Sequence, residues 1–525
     1  MKLKYNALKS TPTTRAFSIT IFFGFLAACF WLHALKSPES TGVGDWRMVH
    51  HNWEAGFASI HRDHQFPFWD PFHCGGISSI GNPETQHLSP FFWLSFLTGP
   101  TLASKLLLVG HTWIALLSFF LLCVCSFNMS KLSALWAVLW SCSGFFALQF
   151  GVGHATFVPF CFAPLLLLCW QKSLDDLRYA LAVALILAIT VFEGGTYPFP
   201  YFLLMLAIDA GARLLDKKSS WQSIVLSGSL SAVFTALFSA LRILPILDTL
   251  RRHPRAIESS DAIDLKGALG MFVRRDMPPG HPPYAHNWHE YTHYIGWPAL
   301  LLAIVGIFFA WRARRWPILI ALCLFVSLMF GEHGNFSPWH MLHQLPIFSS
   351  LRVPSRFSVI VGLYLIVLSG FAFDGVVSWL KKRAQSKTAQ RAVFAFSTIA
   401  ALGIAGEVYI NNLRHTDFWL SPAIEETASK HFHLISAPDW GRYYPIYASL
   451  PARNLGTAGC YPWGMQWNVS NELWSGNVAQ VRIKQGQGSI SSYTQTSHQW
   501  QVDLRLDTPA LLVFNQIGIL DGKAP

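Results

Sequence analysis

Residues 16–36 read AFSITIFFGFLAACFWLHALK, and residues 41–90 read TGVGDWRMVHHNWEAGFASIHRDHQFPFWDPFHCGGISSIGNPETQHLSP. The first stretch is long enough to cross a bilayer, since a spanning helix needs about 20 apolar residues. The second is rich in ionisable side chains: Asp45, Glu54, Asp63, Asp70, Glu84, His50, His51, His61, His64, His73 and His87. Carboxylates and imidazoles move protons near neutral pH. This order predicts a membrane protein whose chemistry lies in its first polar loop.

The composition of the whole chain is that of a polytopic membrane protein. Of its 525 residues 52% are hydrophobic and 13% are charged, whereas soluble domains carry about 25% charged residues. The 22 tryptophans suit anchors at the boundary between lipid and water. The net charge of +11 comes largely from short loops between apolar runs. We therefore expect membrane lipids, and no nucleic acid, as partners.

Apolar runs of spanning length follow one another along most of the chain. Ser89–Leu97 is apolar but too short to span, and we expect it to re-enter the membrane or to lie at its surface. The fold class predicted is mainly α, with about eleven transmembrane helices. The eleven candidate runs are residues 16–36, 101–126, 131–150, 154–170, 177–193, 198–215, 222–247, 294–311, 315–331, 354–379 and 392–411.

Lysine and arginine predict the orientation of these spans. They gather in alternate loops, including residues 381–391, while the short turns Gly151–Gly153 and Glu193–Pro198 hold none. Because basic residues favour the cytoplasmic side, we expect the N-terminus inside and the C-terminus outside. Basic residues precede the first run, which is too long for a usual signal-peptide core, so we expect it to be a retained helix.

The division into domains follows from the end of the apolar runs. Residues 1–411 are predicted to form the transmembrane domain, with the outer loop 37–90 as the candidate site. Residues 412–525 are predicted to form a β-rich extracytoplasmic domain, because the sequence alternates with period two around Trp500–Leu506. The turn at Glu193–Pro198 and segments 248–293 and 332–353 are predicted to share the outer face with loop 37–90.

Cysteine usage gives no metal framework. Seven of the nine cysteines fall in apolar runs and are expected to be small buried hydrophobes. Only Cys74 and Cys460 lie outside, and whether they pair stays open. No CxxC or Cys/His zinc spacing is present.

Several residues beyond the first loop invite a functional hypothesis. Glu193 ends an apolar run, and an ionisable residue at membrane depth is a functional candidate, although it also suits the membrane boundary. Arg352 and Arg356 flank Pro354, and either could bind a phosphate bidentately or anchor the chain at the interface. For His154 we favour a structural role. The histidine-rich loop 278–293 could ligate a metal or cover a site.

Ordered motifs along the chain carry a family resemblance. They are Gly44-Asp45, Phe68-Trp69-Asp70-Pro71, Gly75-Gly76, Asn82-Pro83, Tyr294-Ile295-Gly296, Phe336-Ser337-Pro338, Leu345-Pro346, the stretch Leu351–Phe357, and Asp521-Gly522-Lys523. This set resembles the YfhO-like membrane proteins, a branch of the GT-C superfamily of polyprenyl-phosphate-dependent glycosyltransferases. Gln516–Leu520 stands where the family tail commonly has a Trp-bearing segment, so the last strands are expected to be shortened or missing.

The resemblance implies a fold, a reaction and roles. It implies a membrane glycosyltransferase of the GT-C type that moves a sugar from a polyprenyl-phosphate donor to an envelope glycan, lipid or protein acceptor, outside the plasma membrane of a bacterium. Asp45 matches the acidic catalytic position and is the candidate base; the alternative is a solvated loop residue or a helix cap. The candidate substrate-binding residues are Asp70, His73, Glu84, Glu193, Arg352 and Arg356.

Three points stay open from the sequence. Asp70-Pro71 is also a common way to open a turn. No cofactor is expected, although a divalent metal is conceivable at the histidine-rich loop. A transporter or flippase, or a non-catalytic assembly protein for envelope polymers, remains the alternative function. Polar residues are few within the apolar runs and gather at their outer ends, which favours a reaction at the surface over transport.

Overall fold

The structure is a computed structural model that describes residues 13–73, 75–130, 132, 135–254, 257–259, 261–276, 286–417, 433–435, 446–457 and 480–514. Cys74, Cys460, residues 277–285 of the histidine-rich loop and the motif Asp521-Gly522-Lys523 lie outside the described residues. The described part is mostly helical and includes a small C-terminal β region.

The helices are named α1 to α18 in chain order. They are α1 Thr13–Phe30, α2 Leu32–Lys36, α3 Trp46–His61, α4 Ser95–Thr98, α5 Pro100–Leu121, α6 Trp136–Ser141, α7 Gly144–Gly151, α8 Ala163–Ser173, α9 Arg178–Phe192, α10 Pro198–Leu215, α11 Trp221–Arg252, α12 Leu265–Val273, α13 Trp297–Arg312, α14 Trp316–Met329, α15 Pro338–His343, α16 Ser358–Arg383, α17 Lys387–Leu413 and α18 Ile446–Ser449. Short 3₁₀ helices include Ala155–Phe162 and Pro354–Phe357.

Helix α16 lies at the centre of the bundle. Every residue from Ser358 to Gly370 is buried, and α13 and α14 pack against it. A Cβ atom at Gly306 of α13 would lie 2.0 Å from the carbonyl oxygen of Leu368. The two helices therefore approach backbone to backbone at a glycine, the arrangement that small residues allow between membrane helices.

The described residues contain six helical segments that are long and apolar enough to cross a membrane, and four shorter apolar ones. The six are Pro100–Ser126, Ala155–Ser173, Pro198–Leu215, Trp221–Arg252, Pro354–Arg383 and Lys387–Thr416; the shorter four are Phe17–Phe30, Arg178–Phe192, Trp297–Arg312 and Trp316–Met329. They correspond to ten of the predicted runs. The count of eleven spans and their orientation stay predictions.

The run 131–150 differs from the expected single helix. It divides into α6 and α7 because Ser143 is extended, with ψ of 163°. The backbone groups released at this break find partners: the N–H of Gly144 donates to the carbonyl of Tyr294 at 3.1 Å, and the amide of Asn412 donates to the carbonyl of Cys142 at 2.8 Å. A broken helix at membrane depth needs such protein partners.

The strands that the structure describes form short two-stranded pairs, one in loop 37–90 and the rest in the C-terminal part of the chain. The strands are β1 Trp69–Asp70, β2 Ile77–Ser78, β3 His433–Ile435, β4 Leu455–Thr457, β5 Val481–Gln485, β6 Gly488–Gln495, β7 Trp500–Leu506 and β8 Leu511–Phe514. Pairs β1–β2, β5–β8 and β6–β7 are antiparallel and β3–β4 is parallel. The alternation around Trp500–Leu506 is thus confirmed as an antiparallel strand.

The C-terminal segments pack on the back of α3. The turn between β6 and β7 contacts the residues that follow the C-terminal end of α3. There the N–H and hydroxyl of Ser497 donate to Asp63 at 2.8 and 2.7 Å. Tyr447 and Leu450 pack against Met48. Helix α3 is therefore held between the transmembrane helices and the C-terminal segments.

Candidate active site

A cleft that opens to solvent lies beside α3; together with the solvent space at its mouth it measures about 710 Å³. Its walls are the front of α3, the segments around Gln86, Gly153–Phe157 and Thr196-Tyr197, and the segment before α16. Its ionisable lining residues are Asp45, Glu84, His154, Arg352 and Arg356. Acids, an imidazole and guanidinium groups therefore line one shared space.

Two glycines bring Asp45 and His154 together. Gly44 and Gly153 have φ angles of 62° and 99°, which glycine adopts at little steric cost. A Cβ atom at Gly44 would lie 2.8 Å from the oxygen of Val152, and one at Gly153 would lie 2.2 Å from the nitrogen of Trp46. The two backbones therefore touch, and the N–H of Asp45 donates to the oxygen of Val152 at 3.0 Å.

Asp45 precedes α3 but does not cap it. Its side chain makes no capping hydrogen bond; instead Oδ2 lies 3.4 Å from Nε2 of His154. Burial lowers the pKa of the His154 imidazole, although Asp45 and Glu290 oppose the shift. The carboxylate thus faces a histidine ring at the wall of the cleft.

Arg356 forms a buried ion pair. Its Nε donates to Oε2 of Glu290 at 2.8 Å and its Nη2 donates to Oε1, while the guanidinium lies 4.5 Å from the centre of the Tyr197 ring. Burial alone would raise the pKa of the Glu290 carboxyl, but the charge of Arg356 and its hydrogen bonds hold that pKa well below its usual range. The charge of Arg356 is therefore already compensated.

Arg352 is arranged differently. The Tyr197 hydroxyl accepts from its backbone N–H at 3.0 Å and lies 3.2 Å from its carbonyl oxygen, which fixes the backbone and leaves the side chain exposed. Val353, which follows, has a left-handed φ of 63°. This conformation costs of the order of 1–3 kcal/mol for a branched residue. Within the described residues no carboxylate pairs with the Arg352 guanidinium.

Three side chains beside the cleft could in principle hold a metal ion. Ligand atoms of His154, His289 and Glu290 lie within 4.8 Å of one another. However, Glu290 already accepts from Arg356 at both oxygens and from Gln149 at Oε2. A cation would have to displace a guanidinium, so the cluster fits a hydrogen-bonded network better than a metal site.

The histidine-rich loop does not act as one ligand set. His293 is fully buried and lies among the rings of Phe145 and Phe272, while His286 stacks on Tyr291. His289 and Glu290 contact the residues of the cleft wall directly, whereas His286 interacts with Glu290, Arg352 and Arg356 through their charges.

Glu84 lies on a loop that a buried arginine shapes. Arg242 of α11 donates to the carbonyls of Ser79, Ile80, Asn82 and Thr85 at 2.6 to 3.1 Å. On the same loop, Gln86 donates to the carbonyl of Glu193 at 2.9 Å and accepts from Trp53 Nε1 at 2.9 Å. These contacts hold the 79–86 loop against the cleft wall.

The side chain of Glu193 lies behind this loop. It is fully buried, accepts from the hydroxyl of Ser89 at 3.2 Å, and lies 2.8 Å from Nε2 of His111. Only its backbone carbonyl touches Gln86, so Glu193 is not among the lining residues of the cleft. Its geometry ties the Ser89 segment to the helices.

Asp70 and His73 lie on the far side of α3 from the cleft. Asp70 accepts from the N–H of Phe72 at 2.9 Å, and burial raises the pKa of its carboxyl to about 7. His73 lies 2.5 Å from the hydroxyl of Tyr447. The structure therefore brings Asp45, Glu84, Arg352 and Arg356 together, and separates Asp70, His73 and Glu193 from them.

Comparison with solved structures shows where this fold occurs. ArnT from Cupriavidus metallidurans in the apo state matches with a TM-score of 0.50 at 11% identity, over 83% of this chain and 85% of ArnT. ArnT bound to undecaprenyl phosphate matches at 0.45 and 12% identity over the same shares. Arabinofuranosyltransferase AftD from Mycobacteria matches at 0.45 and 13%, over 83% of this chain.

The fold is shared with ArnT. The chain spans 31% of the length of AftD, and neither a family model nor a curated protein matches it. The fold shared with ArnT and the apolar helices support an integral membrane protein. The GT-C superfamily and its YfhO-like branch, which the sequence motifs resemble, stay predictions.

The roles of four residues of the site were missed from the sequence alone. Gln149 lies at the end of the run 131–150, which reads as a plain apolar helix, and His154, which begins the next run, was expected to be structural. Glu290 lies in a loop read for zinc, and Arg242 lies within a span. A signal existed for two of them: a buried arginine in a span implies partners at depth, and the paired glycines at 151 and 153 imply a close backbone approach.

Proposed function

We propose that this protein is a membrane glycosyltransferase that moves a sugar from a polyprenyl-phosphate donor to an envelope acceptor. The reaction would take place on the extracytoplasmic side of a bacterial plasma membrane. One observation carries the proposal: Asp45 lines the same cleft as Arg352 and Arg356. A base for the acceptor and cations for the donor are then within reach of one substrate.

The reaction needs a base for the acceptor hydroxyl and charges that stabilise the sugar and the leaving phosphate. The acceptor hydroxyl loses its proton to Asp45 as its oxygen bonds to the anomeric carbon of the sugar. The bond from that carbon to the phosphate oxygen breaks, and the electron pair leaves with the polyprenyl phosphate. Because the transition state resembles an oxocarbenium ion, carboxylates near the sugar and cations near the phosphate both favour it.

The two arginines would contribute unequally. Arg352 is exposed in the cleft, and we assign it the main contact with the donor phosphate, since guanidinium groups bind phosphate oxygens through paired hydrogen bonds. The charge of Arg356 is already compensated by Glu290, so we assign Arg356 a role in shaping the wall of the cleft. Glu84 faces the same space and is assigned to the sugar or the acceptor.

The donor class is supported at the level of fold. ArnT, whose apo structure shares this fold, has also been solved with undecaprenyl phosphate. A donor of the same chemical kind, a sugar on a polyprenyl phosphate, is what we propose here. Asp70, His73 and Glu193, which were candidates from the sequence, are given no substrate contact in this proposal.

The test is a transfer assay. Purified protein in lipid vesicles is incubated with radiolabelled polyprenyl-phosphate sugars and crude envelope acceptors. We expect the label to become covalently attached to an acceptor and free polyprenyl phosphate to accumulate in equal amount. Movement of intact donor across the vesicle membrane without transfer would instead favour a flippase and would overturn the proposal.

A further inference from the structure

The side-chain amide of Gln149 has one orientation that suits its neighbours. Its nitrogen donates to the backbone carbonyl of His289 at 2.8 Å and to Oε2 of Glu290 at 3.1 Å. The reverse orientation would put the amide oxygen against two acceptors, because neither group carries a hydrogen to donate. The amide oxygen therefore faces Nδ1 of His154, to which it is hydrogen-bonded.

This orientation decides the tautomer of His154. An amide oxygen only accepts, so Nδ1 of His154 carries the hydrogen, and the neutral ring then has no hydrogen on Nε2. That nitrogen lies 3.4 Å from Oδ2 of Asp45. Two lone pairs then face each other, and a proton placed between them is held by both atoms. The unprotonated pair therefore has a place for one incoming proton.

The surroundings suit an imidazole that gains a charge. Gln149 is fully buried, and the charged or titratable groups around His154 are Asp45, Glu290, Arg356 and His289, whose ring lies 5.3 Å away. The two carboxylates favour the imidazolium. Arg356 opposes it, but the ion pair with Glu290 weakens that effect.

We propose that Asp45 and His154 act together as the base of the reaction, with Gln149 as the positioning residue that fixes the tautomer. This inference rests on the proposed function. The acceptor hydroxyl gives its proton to Asp45 as the new carbon–oxygen bond forms and the phosphate leaves with its electron pair. The proton passes on to Nε2 of His154, and the imidazolium then donates to Asp45 and to Gln149.

The first test is a double-mutant cycle on transfer. His154→Gln keeps an amide nitrogen near the position of Nε2 but cannot take a proton. We expect kcat to fall about 100-fold or more, with the donor KM within about twofold, and the same fall for Asp45→Asn. The double variant should be no slower than either single variant, because residues that act as one unit are not additive.

The control is His61→Gln, an exposed histidine that stacks on Phe57 at the end of α3 and does not line the cleft; it should keep wild-type kcat. Losses that multiply in the double variant, or a fully active His154→Gln, would overturn the inference while the proposed function stands. If the wild type transfers no sugar, both fail together.

The second test does not depend on activity. In protein with ¹⁵N-labelled histidine, the signal lost in His154→Gln belongs to residue 154. We expect it to report hydrogen on Nδ1 at high pH, with a second hydrogen on Nε2 as the pH falls, and to become a mixture of tautomers in Gln149→Leu. A neutral ring with its hydrogen on Nε2 would contradict the proposal.

Discussion

At the residue scale, Arg352 and Arg356 stand four positions apart but face different partners. Arg356 is buried against Glu290, so Arg356→Gln leaves a buried carboxylate without its cation. Breaking such a pair costs about 3–5 kcal/mol. We expect a lower midpoint of thermal unfolding, and we expect Arg356→Met combined with Glu290→Leu to recover most of the loss, because no unpaired charge remains.

The matched control is Arg352→Gln. Its side chain is exposed in the cleft, so we expect an unchanged midpoint of unfolding. Binding of undecaprenyl phosphate should weaken by roughly tenfold or more, from the loss of a charge-assisted hydrogen bond worth about 1.5–3 kcal/mol. Equal thermal effects of the two substitutions would contradict the different roles given to these arginines.

A second prediction at this scale concerns metal. Because Arg356 and Gln149 already occupy the oxygens of Glu290, the His154–His289–Glu290 cluster is expected to work without a cation. We predict that transfer survives dialysis against EDTA and that added Zn²⁺ or Mn²⁺ does not increase it. An activity that EDTA abolishes and one of these cations restores would assign this cluster as a metal site.

At the element scale, α3 joins the cleft to the C-terminal segments. Asp45, Asn52 and Trp53 face the cleft, whereas His51 faces the other way, with Nδ1 donating to the carbonyl of Tyr447 at 2.9 Å. His51 also stacks on Tyr447 with ring centres 4.5 Å apart. A change in how α18 docks would therefore act directly on α3, the helix that lines the cleft, through the contact between Tyr447 and His51.

This contact predicts a pH dependence. Burial lowers the pKa of His51 to about 3 and that of His73 to about 4, both from 6.5. The unfolded state therefore binds more protons below pH 6.5, and the docked state loses stability as the pH falls through this window. One pKa unit corresponds to about 1.4 kcal/mol, so the loss for each histidine reaches a few kcal/mol.

Asp70 acts in the opposite direction. Its raised pKa of about 7 means that the folded carboxyl takes up a proton first and gains stability as the pH falls below 7. The stability lost through the two histidines exceeds the stability gained through one carboxyl. Hydrogen exchange in residues 446–457 should therefore become faster as the pH falls from 6.5 to 5. The double variant His51→Gln with His73→Gln should remove most of this dependence; exchange that slows on acidification would contradict it.

The elements that could be predicted from sequence are those with local causes. The strand at Trp500–Leu506 follows from its alternation, and the close turns at Gly44 and Gly153 follow from glycine. The break between α6 and α7 could not be predicted, because it depends on Tyr294 and Asn412, which lie far along the chain. The Gln149–His154 contact is local, but the orientation of the Gln149 amide depends on His289 and Glu290, which lie far along the chain.

At the scale of the whole molecule, the orientation in the membrane remains to be tested. Basic residues predict the α16–α17 connection inside and segment 332–353 outside. We expect Asn335→Cys to react with an impermeant maleimide in intact cells, and Gln385→Cys to react only after permeabilisation, each compared with wild type. Both residues are exposed. The reverse pattern would turn the cleft toward the cytoplasm.

The whole fold was predictable in outline and the candidate site in part. Apolar runs gave ten of the helical segments, and basic loops grouped loop 37–90 with segment 332–353, which is why Asp45 and the two arginines were expected near each other. Asp70 and His73 were chosen from residue type and their place in the first polar loop, and Glu193 from its place at the end of an apolar run. Their partners, Tyr447 and His111, become visible only in three dimensions. The domain boundary at residues 411 and 412 stays a prediction.

The central claim is that Asp45 performs chemistry in a cleft that also holds the donor phosphate. The most direct measurement is the single-turnover rate of sugar transfer by wild type and by Asp45→Asn, with undecaprenyl-phosphate binding measured on both. We predict a rate at least about 100-fold lower in the variant, with lipid binding and thermal unfolding unchanged. An equal rate in the two proteins would contradict the account.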